Sequence, residues 1–349
     1  MTPGSLIQLC IGLPLAIAVL NGPGILTAFS CRLPFPWLSG LAVSWLAWFN
    51  LVISIQLIGL PLTRVSLLLP WLGWLLIMIL VNRASLFRNP LMVSLRTVAK
   101  QVSRQHLNTL PQKAWLTAGL FGFGSILLRA FIDPLSGWDN DLRWNAIAVE
   151  AFQRQHLDFF PVFQPADFEI LAWWDGMPPL ISLLNFWFYL ILGEPSRIYS
   201  TGRVIVEAVG IYSAVNLLAA RQAGTAAGLV ATGLLATSSL ALWHVAMGQE
   251  TGGLALSLLG MLLCLRKKHT DYRTIIAGGL FAAVGLLCRE YGGAYGVLGL
   301  IIVCLRDRSA VRALVFSAAW LGPGLLWFAR CWAITGNPIY PLGPIGLPW

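Results

Sequence analysis

The chain has 349 residues, 57% of them hydrophobic and only 11% charged, with a formal net charge of +9. One soluble core cannot bury that much apolar surface, and the apolar residues come in long uncharged blocks, so the pattern excludes a soluble globular domain and indicates a polytopic membrane protein. The positive charge is too local for a nucleic-acid surface: residues 1 to 132 hold nine Lys/Arg and no Asp or Glu, six of the nine lie in 83–113, and residues 133 to 349 hold fourteen of each sign.

Apolar blocks run at 5–29, 36–60, 65–82, 114–132, 179–193, 199–219, 224–241, 252–265, 274–288, 292–305 and 313–332. Lipid leaves a backbone to satisfy itself, and no alternating strand pattern appears. The expected fold is therefore all-α, with about ten or eleven transmembrane segments. Met1-Thr2-Pro3-Gly4 brings no positive charge ahead of the first block, which reads as a retained span and not a cleaved signal peptide. Asn21-Gly22-Pro23-Gly24 inside that block is predicted to kink or end its helix.

Residues 1–82 thus form three N-terminal spans, followed by a basic linker, 83–113. In the linker Leu91, Leu95, Val98 and Val102 recur at helical spacing, with Arg96, Lys100 and Arg104 on another face. That suits an interfacial amphipathic helix, or equally a solvated linker. Lys and Arg resist translocation, so 83–113 is expected inside, as are Arg266-Lys267-Lys268 with Arg273, and Arg306 with Arg308 and Arg312. The loop 133–178 and the turns near 242–251, 289–291 and 333–349 then share the outside. Three apolar blocks between 178 and 242 break the parity of this scheme, so either 179–193 or 224–241 should not cross.

The loop 133–178 carries eight of the fourteen acids. Trp144, Ile147, Ala148, Ala151 and Phe152 fall at i, i+3, i+4, i+7 and i+8, an apolar stripe that predicts a helix resting on the outer membrane surface. Asp139 stands where an N-cap would, Asp141 falls in the first turn, and Asp139 with Arg143 forms an i, i+4 pair. Local capping and a catalytic role are both open to Asp139 on these grounds. Arg203 and Glu207, at i, i+4 inside an apolar block, need a partner, and each other is the simplest one. His156 and His244 read as interfacial or hydrogen-bonded histidines, and Trp173 and Trp174 as members of an aromatic interface belt. Cys10, Cys31, Cys264, Cys288, Cys304 and Cys331 show no paired spacing and read as small buried hydrophobes.

Five stretches follow one another in order. Asp139-Asn140-Asp141 opens an amphipathic helix with Arg143-Trp144; Phe159-Phe160-Pro161 comes next, and then Trp173-Trp174-Asp175-Gly176-Met177-Pro178-Pro179-Leu180 leads into an apolar block. Gly248-Gln249-Glu250 and Thr335-Gly336-Asn337-Pro338-Ile339-Tyr340-Pro341 come later. This succession resembles the C-type (GT-C) integral-membrane glycosyltransferases, the protein-mannosyltransferase-like and aminoarabinose-transferase-like superfamily, over roughly residues 114 to 345. Met177 departs from it, since relatives often carry Lys or His before the Pro-Pro pair. Relatives also commonly continue past the last turn, which leaves open a short member, a fragment or a non-catalytic descendant.

The resemblance implies a GT-C-like core, 114–349, that includes the external loop 133–178. It implies transfer of a sugar from a polyprenyl-phosphate-linked donor to an acceptor, whether lipid, glycan or protein, at the periplasmic face of the inner membrane. Such a reaction needs a carboxylate to take the acceptor proton and positive charge or a metal to receive the departing phosphate. Asp139 is the candidate base. Asp141 is a second carboxylate, able with Asp139 to bind a divalent metal such as Mg or Mn. Arg143, Asp175, Glu250, Arg289, Glu290 and Tyr340 are the candidate substrate-binding residues. The competing readings are a transporter or flippase of a lipid-linked sugar, and a non-catalytic or truncated protein of the same fold.

Overall fold

The structure is a computed structural model describing residues 6–88, 109–137, 139–157, 177–266 and 271–339. Every regular element among these residues is helical, and the chain is an all-α polytopic membrane protein. In chain order the helices are α1 (Leu13–Ser30), α2 (Pro36–Leu57), α3 (Arg64–Arg88), α4 (Leu110–Ile132), α5 (Asn145–Arg154), α6 (Leu180–Leu192) and α7 (Thr201–Ala223). They continue with α8 (Thr225–Thr237), α9 (Ser239–Ala246), α10 (Glu250–Leu265), α11 (Tyr272–Cys288), α12 (Gly293–Asp307), α13 (Ala310–Leu321) and α14 (Leu325–Thr335). Among the described residues, six helices are long and apolar enough to cross a membrane, or seven if the bent pair α8 and α9 is one span. The remaining apolar blocks form the shorter helices α6, α10, α11 and α12. The amphipathic stretch expected at 91–102 lies outside the described residues.

The Asn21-Gly22-Pro23-Gly24 sequence, predicted to kink or end its helix, does not end α1, because the neighbouring helices supply what Pro23 removes. Proline has no N–H for the carbonyl four residues earlier, and that carbonyl, on Val19, accepts instead from Trp71 Nε1 at 2.9 Å. Ser44 Oγ accepts from Gly24 N at 3.0 Å and donates to the Asn21 carbonyl at 3.1 Å, while Trp45 Nε1 donates to Asn21 Oδ1 at 3.1 Å. A methyl on Gly24 would strike the Gly40 carbonyl and one on Gly40 would strike Ile25, so the two glycines set how closely α1 and α2 cross.

Parity is settled by which helix ends meet. The loop after α2 reaches α5, since Leu62 N donates to the Gln155 carbonyl at 2.7 Å and Leu157 N to Gln56 Oε1 at 3.0 Å. The end of α6 lies there too: the Leu190 carbonyl accepts from Arg64 Nε at 2.8 Å, and the Leu192 carbonyl from Gln8 Nε2 at 3.0 Å. Arg64 and Gln8 open α3 and the run into α1, while at the other end of α6 Ile181 lies against Gly253 in the first turn of α10, whose entry is tied to the loop before α5, so α6 begins and ends at the same end of the bundle and makes no passage. By contrast, α8 and α9, bent by 69°, climb beside α4 in the same direction: Gly119 faces Thr232, and Arg129 stacks over Trp243 at 4.1 Å. Of the two suspects, the one that fails to cross is 179–193.

Every residue of α6 except Ile191 is buried, and protein does the burying. Trp187 packs edge-on against Trp48 with ring centroids 4.8 Å apart, and Trp48 against Trp71 at 5.6 Å. Both buried indoles find acceptors, Trp48 Nε1 on the Leu183 carbonyl at 2.8 Å and Trp187 Nε1 on that of Ala16 at 3.0 Å, as such groups must away from water. The loop helix α5 also packs on α6. Its stripe residues Trp144, Ile147, Ala148 and Ala151 are buried, so the stripe faces protein and not, as expected, the membrane surface. Tyr189 Oη closes this contact on Asn145 Oδ1 at 2.5 Å. The cysteines divide evenly: Cys264, Cys288 and Cys331 are buried, whereas Cys10, Cys31 and Cys304 are exposed.

Candidate functional site

Four separated stretches meet at the end of the bundle that carries α5. The turn after α9 receives Asn140 Nδ2 on its Met247 carbonyl at 2.8 Å, which ties the start of the loop helix to the segment leading into α10. From below, Arg203 grips the same turn. Its Nη2 donates to the Gly248 carbonyl and Nη1 to that of Gln249 at 3.4 Å, while Nε reaches Asn185 Oδ1 at 2.9 Å and Nη1 reaches Glu207 Oε1 at 2.6 Å. The expected Arg203 and Glu207 pair therefore exists, with side chains 1% and 0% exposed, and it is also a brace between α6, α7 and the α10 entry. Gly252 leaves the room that Glu207 occupies, since a methyl there would collide with its carboxylate.

Glu250 opens α10, where the helix dipole favours an anion. It is ion-paired with Arg289, which stands in the extended link between α11 and α12, and it accepts from Tyr291 Oη at 3.3 Å. Arg289 Nε lies 4.0 Å from Glu290, and the guanidinium stacks over Tyr291 at 5.2 Å. Burial works to lower the Arg289 pKa, but Glu250, through its charge and hydrogen bond, together with Tyr291 and Glu290 holds the group above its usual value. Burial, reinforced by the charge of Glu250, pushes the Tyr291 phenol up to about 12.

Arg143 completes the group from the loop side. Burial lowers its pKa, and so does the positive charge of Arg289; Glu290, Glu250 and Asp139 act in the other direction. Its guanidinium stacks 5.2 Å over the Trp144 ring and makes no ion pair among the described residues. Asp139, Glu250, Arg289 and Glu290 thus all lie within electrostatic reach of Arg143. Several buried polar atoms around them have no hydrogen-bond partner among the described residues, among them Asn140 Oδ1, Trp144 Nε1, Asn185 Nδ2, Glu207 Oε2, Glu250 Oε2 and Glu290 Oε2. Folded proteins leave few such atoms, so their gathering marks a polar site and not a packed core.

Two expectations for the carboxylates change. Asp139 takes helical dihedrals and its side chain makes no capping hydrogen bond, because a π-helical turn, Asn140–Trp144, begins directly after it and leads into α5. It does not pair with Arg143 either, so neither local role accounts for it. Asp141 is ion-paired with Arg197, at the entrance to α7, with both side chains about half exposed. Among the described residues no three His, Cys, Asp or Glu side chains gather as a metal site. Asp175 and Tyr340 lie outside the described residues.

Sequence reasoning missed Tyr291, Asn140 and Arg197. The first is adjacent to Arg289-Glu290 and was there to be found; the other two act through contacts 107 residues away for Asn140 and across the loop for Arg197, with no local signal. Gly336, at φ 73°, ends α14, and Asn337 Oδ1 accepts from Ile339 N at 3.1 Å, which makes the start of the Gly-Asn-Pro stretch a tight turn. His244 Nδ1 lies 2.8 Å from the Leu240 carbonyl within its own helix and outside the cluster. Comparison with protein-family models, with curated proteins and with solved structures returns no match to the chain.

Proposed function

We propose that the chain is a membrane glycosyltransferase of the C-type kind, moving a sugar from a polyprenyl-phosphate donor to an acceptor at the outer membrane face. The observation that carries this reading is the meeting of Asp139, Arg143, Glu250, Arg289 and Glu290, drawn from three distant stretches to one end of the bundle. In this reading the acceptor oxygen bonds to the anomeric carbon, the bond from that carbon to the phosphate oxygen breaks, and the phosphate leaves with the electron pair. Asp139, a carboxylate without an ion pair among the described residues, takes the acceptor proton. Arg143, a cation with no carboxylate of its own among the described residues, receives the phosphate charge, and Arg289 adds to the positive field while Glu250 fixes its position. Asp175 and Tyr340 are further substrate contacts in the same proposal. No step runs through a metal.

Orientation follows from charge in this proposal. The end bearing Asp139, Glu250 and Glu290 faces the periplasm, and the end bearing Arg221, Arg266, Arg306 and Arg312 faces the cytoplasm, across an inner membrane. The bent pair α8 and α9 favours a second reading, passage of a lipid-linked sugar, because interrupted helices commonly frame transport sites.

The test is transfer from a panel of polyprenyl-phosphate sugars by the purified protein in lipid nanodiscs, with product identified by mass spectrometry. Asp139→Asn, folded as the wild type is, is expected to be about 10²- to 10⁴-fold slower. Full activity in that variant overturns Asp139 as the base. Donor translocation without product formation overturns transfer in favour of passage.

A further inference from the structure

The opposite end of the bundle holds two arginines that the site does not use. Arg221 lies in the last turn of α7, and its guanidinium stacks over the Phe35 ring, 4.2 Å from the centroid. Arg266 directly follows α10, and its Nη2 donates to the Arg221 carbonyl at 2.7 Å. The two cations are thereby held on neighbouring helix ends. The loop that presents Phe35 adopts left-handed backbone at both Arg32, φ 53°, and Phe35, φ 48°, a conformation uncommon for residues with a side chain.

Neither Arg221 nor Arg266 meets a carboxylate among the described residues, whereas Arg306 and Arg312 at the same end share Asp307. Like charges brought together repel, and the aromatic stack and the carbonyl contact offset this only in part. An anion between them removes the repulsion. Guanidinium groups suit phosphate oxygens because their paired N–H donors match the geometry. The pair also stands where α7 and α10 end beside the start of α2, which for helices that span a bilayer is the depth of the lipid headgroups. Basic pockets between transmembrane helices at that depth are suited to acidic headgroups.

We infer that Arg221 and Arg266, with Phe35 as the platform, bind the phosphate of an acidic phospholipid at the junction of α2, α7 and α10. The site is independent of the proposed transfer chemistry and lies at the other end of the molecule.

To test it, the full chain is reconstituted in nanodiscs of phosphatidylcholine with phosphatidylglycerol, and the lipids that stay bound on release into detergent are counted by native mass spectrometry. The wild type is expected to keep phosphatidylglycerol, and R221Q/R266Q to keep about tenfold less, with phosphatidylcholine unchanged. Arg273→Gln, another exposed arginine at this end, is expected to behave as the wild type. If the double variant does not fold, R266Q alone, altered just beyond a helix end, should still lose several-fold. Equal retention by wild type and variant overturns the site, as does an equal loss in Arg273→Gln. Stabilisation by inorganic phosphate in pure phosphatidylcholine that matches the effect of phosphatidylglycerol overturns the lipid as the ligand.

Discussion

Arg203→Met is expected to be the most damaging single change at the site end, and the size of the loss separates two roles of that side chain. The substitution strips the buried Glu207 carboxylate of its cation, and it leaves Asn185 Oδ1 and the carbonyls of Gly248 and Gln249 without their donor. Stranding a buried carboxylate costs about 3–5 kcal/mol. Each of the three acceptors left dry adds about 1–3 kcal/mol, about 6–14 kcal/mol in all before relaxation, and relaxation of the turn should bring the observed loss to roughly 4–8 kcal/mol. Glu207→Gln keeps the grip on the turn but strands the buried Arg203 cation, and should cost about 3–5 kcal/mol. The double variant removes the stranded charge but not the dry carbonyls. It should therefore recover about 2–3 kcal/mol of the Arg203→Met loss and no more. Equilibrium unfolding in mixed micelles of dodecyl sulfate and dodecyl maltoside, followed by tryptophan fluorescence, measures all three. An Arg203→Met loss under about 1 kcal/mol would refute the brace. Single losses that simply add in the double variant would refute the coupling of the pair.

Three further outcomes are expected. Trp71→Phe takes the donor from the Val19 carbonyl and should cost about 1–2 kcal/mol; Pro23→Ala in the same chain supplies a backbone N–H and should return about 1 kcal/mol. If Pro23→Ala helps no more in that background than in the wild type, the compensation does not exist. Tyr291 has a raised pKa when folded, so the unfolded chain loses that proton first as the pH rises. Its contribution to stability is complete below about pH 10 and declines between 10 and 12, and Tyr291→Phe should remove that part of the decline in unfolding measured across this range. Asp141→Asn breaks a half-exposed ion pair and should change stability by no more than about 1 kcal/mol, with any effect fading at high salt; a larger, salt-resistant loss would show that Asp141 holds more than Arg197.

Local signals translated well into structure. The apolar blocks became helices because length and composition leave a buried backbone no other way to satisfy itself. The spacing of Arg203 and Glu207 identified their pairing because two ionisable side chains four residues apart in an apolar helix have nowhere better to turn. The stripe from Trp144 to Ala151 was legible as a helix face, but periodicity says only that a face is apolar. Whether protein or lipid covers it depends on α6, which no residue of the loop encodes. Asp139 shows the same limit: the spacing suggested a cap and an i, i+4 pair with Arg143, whereas a π-helical turn begins directly after it and its side chain makes no capping hydrogen bond. Tertiary contacts overrode local preference there. The parity of 179–193 was equally hidden, since its composition matches that of a span and only its end contacts, on Gln8 and Arg64, reveal that it turns back.

That returning helix bears on how the protein is made. A segment that makes no passage cannot be committed to the bilayer by partitioning as it leaves the ribosome; it needs a groove between helices already inserted. Half of that groove, α1 and α2, is synthesised before it, but α7, which carries Arg203 against Asn185, comes after. The acidic end of the molecule therefore cannot close until residues beyond 200 have been synthesised, and until then α6 presents Asn185 and a face of Trp, Phe and Leu to whatever shields nascent membrane proteins.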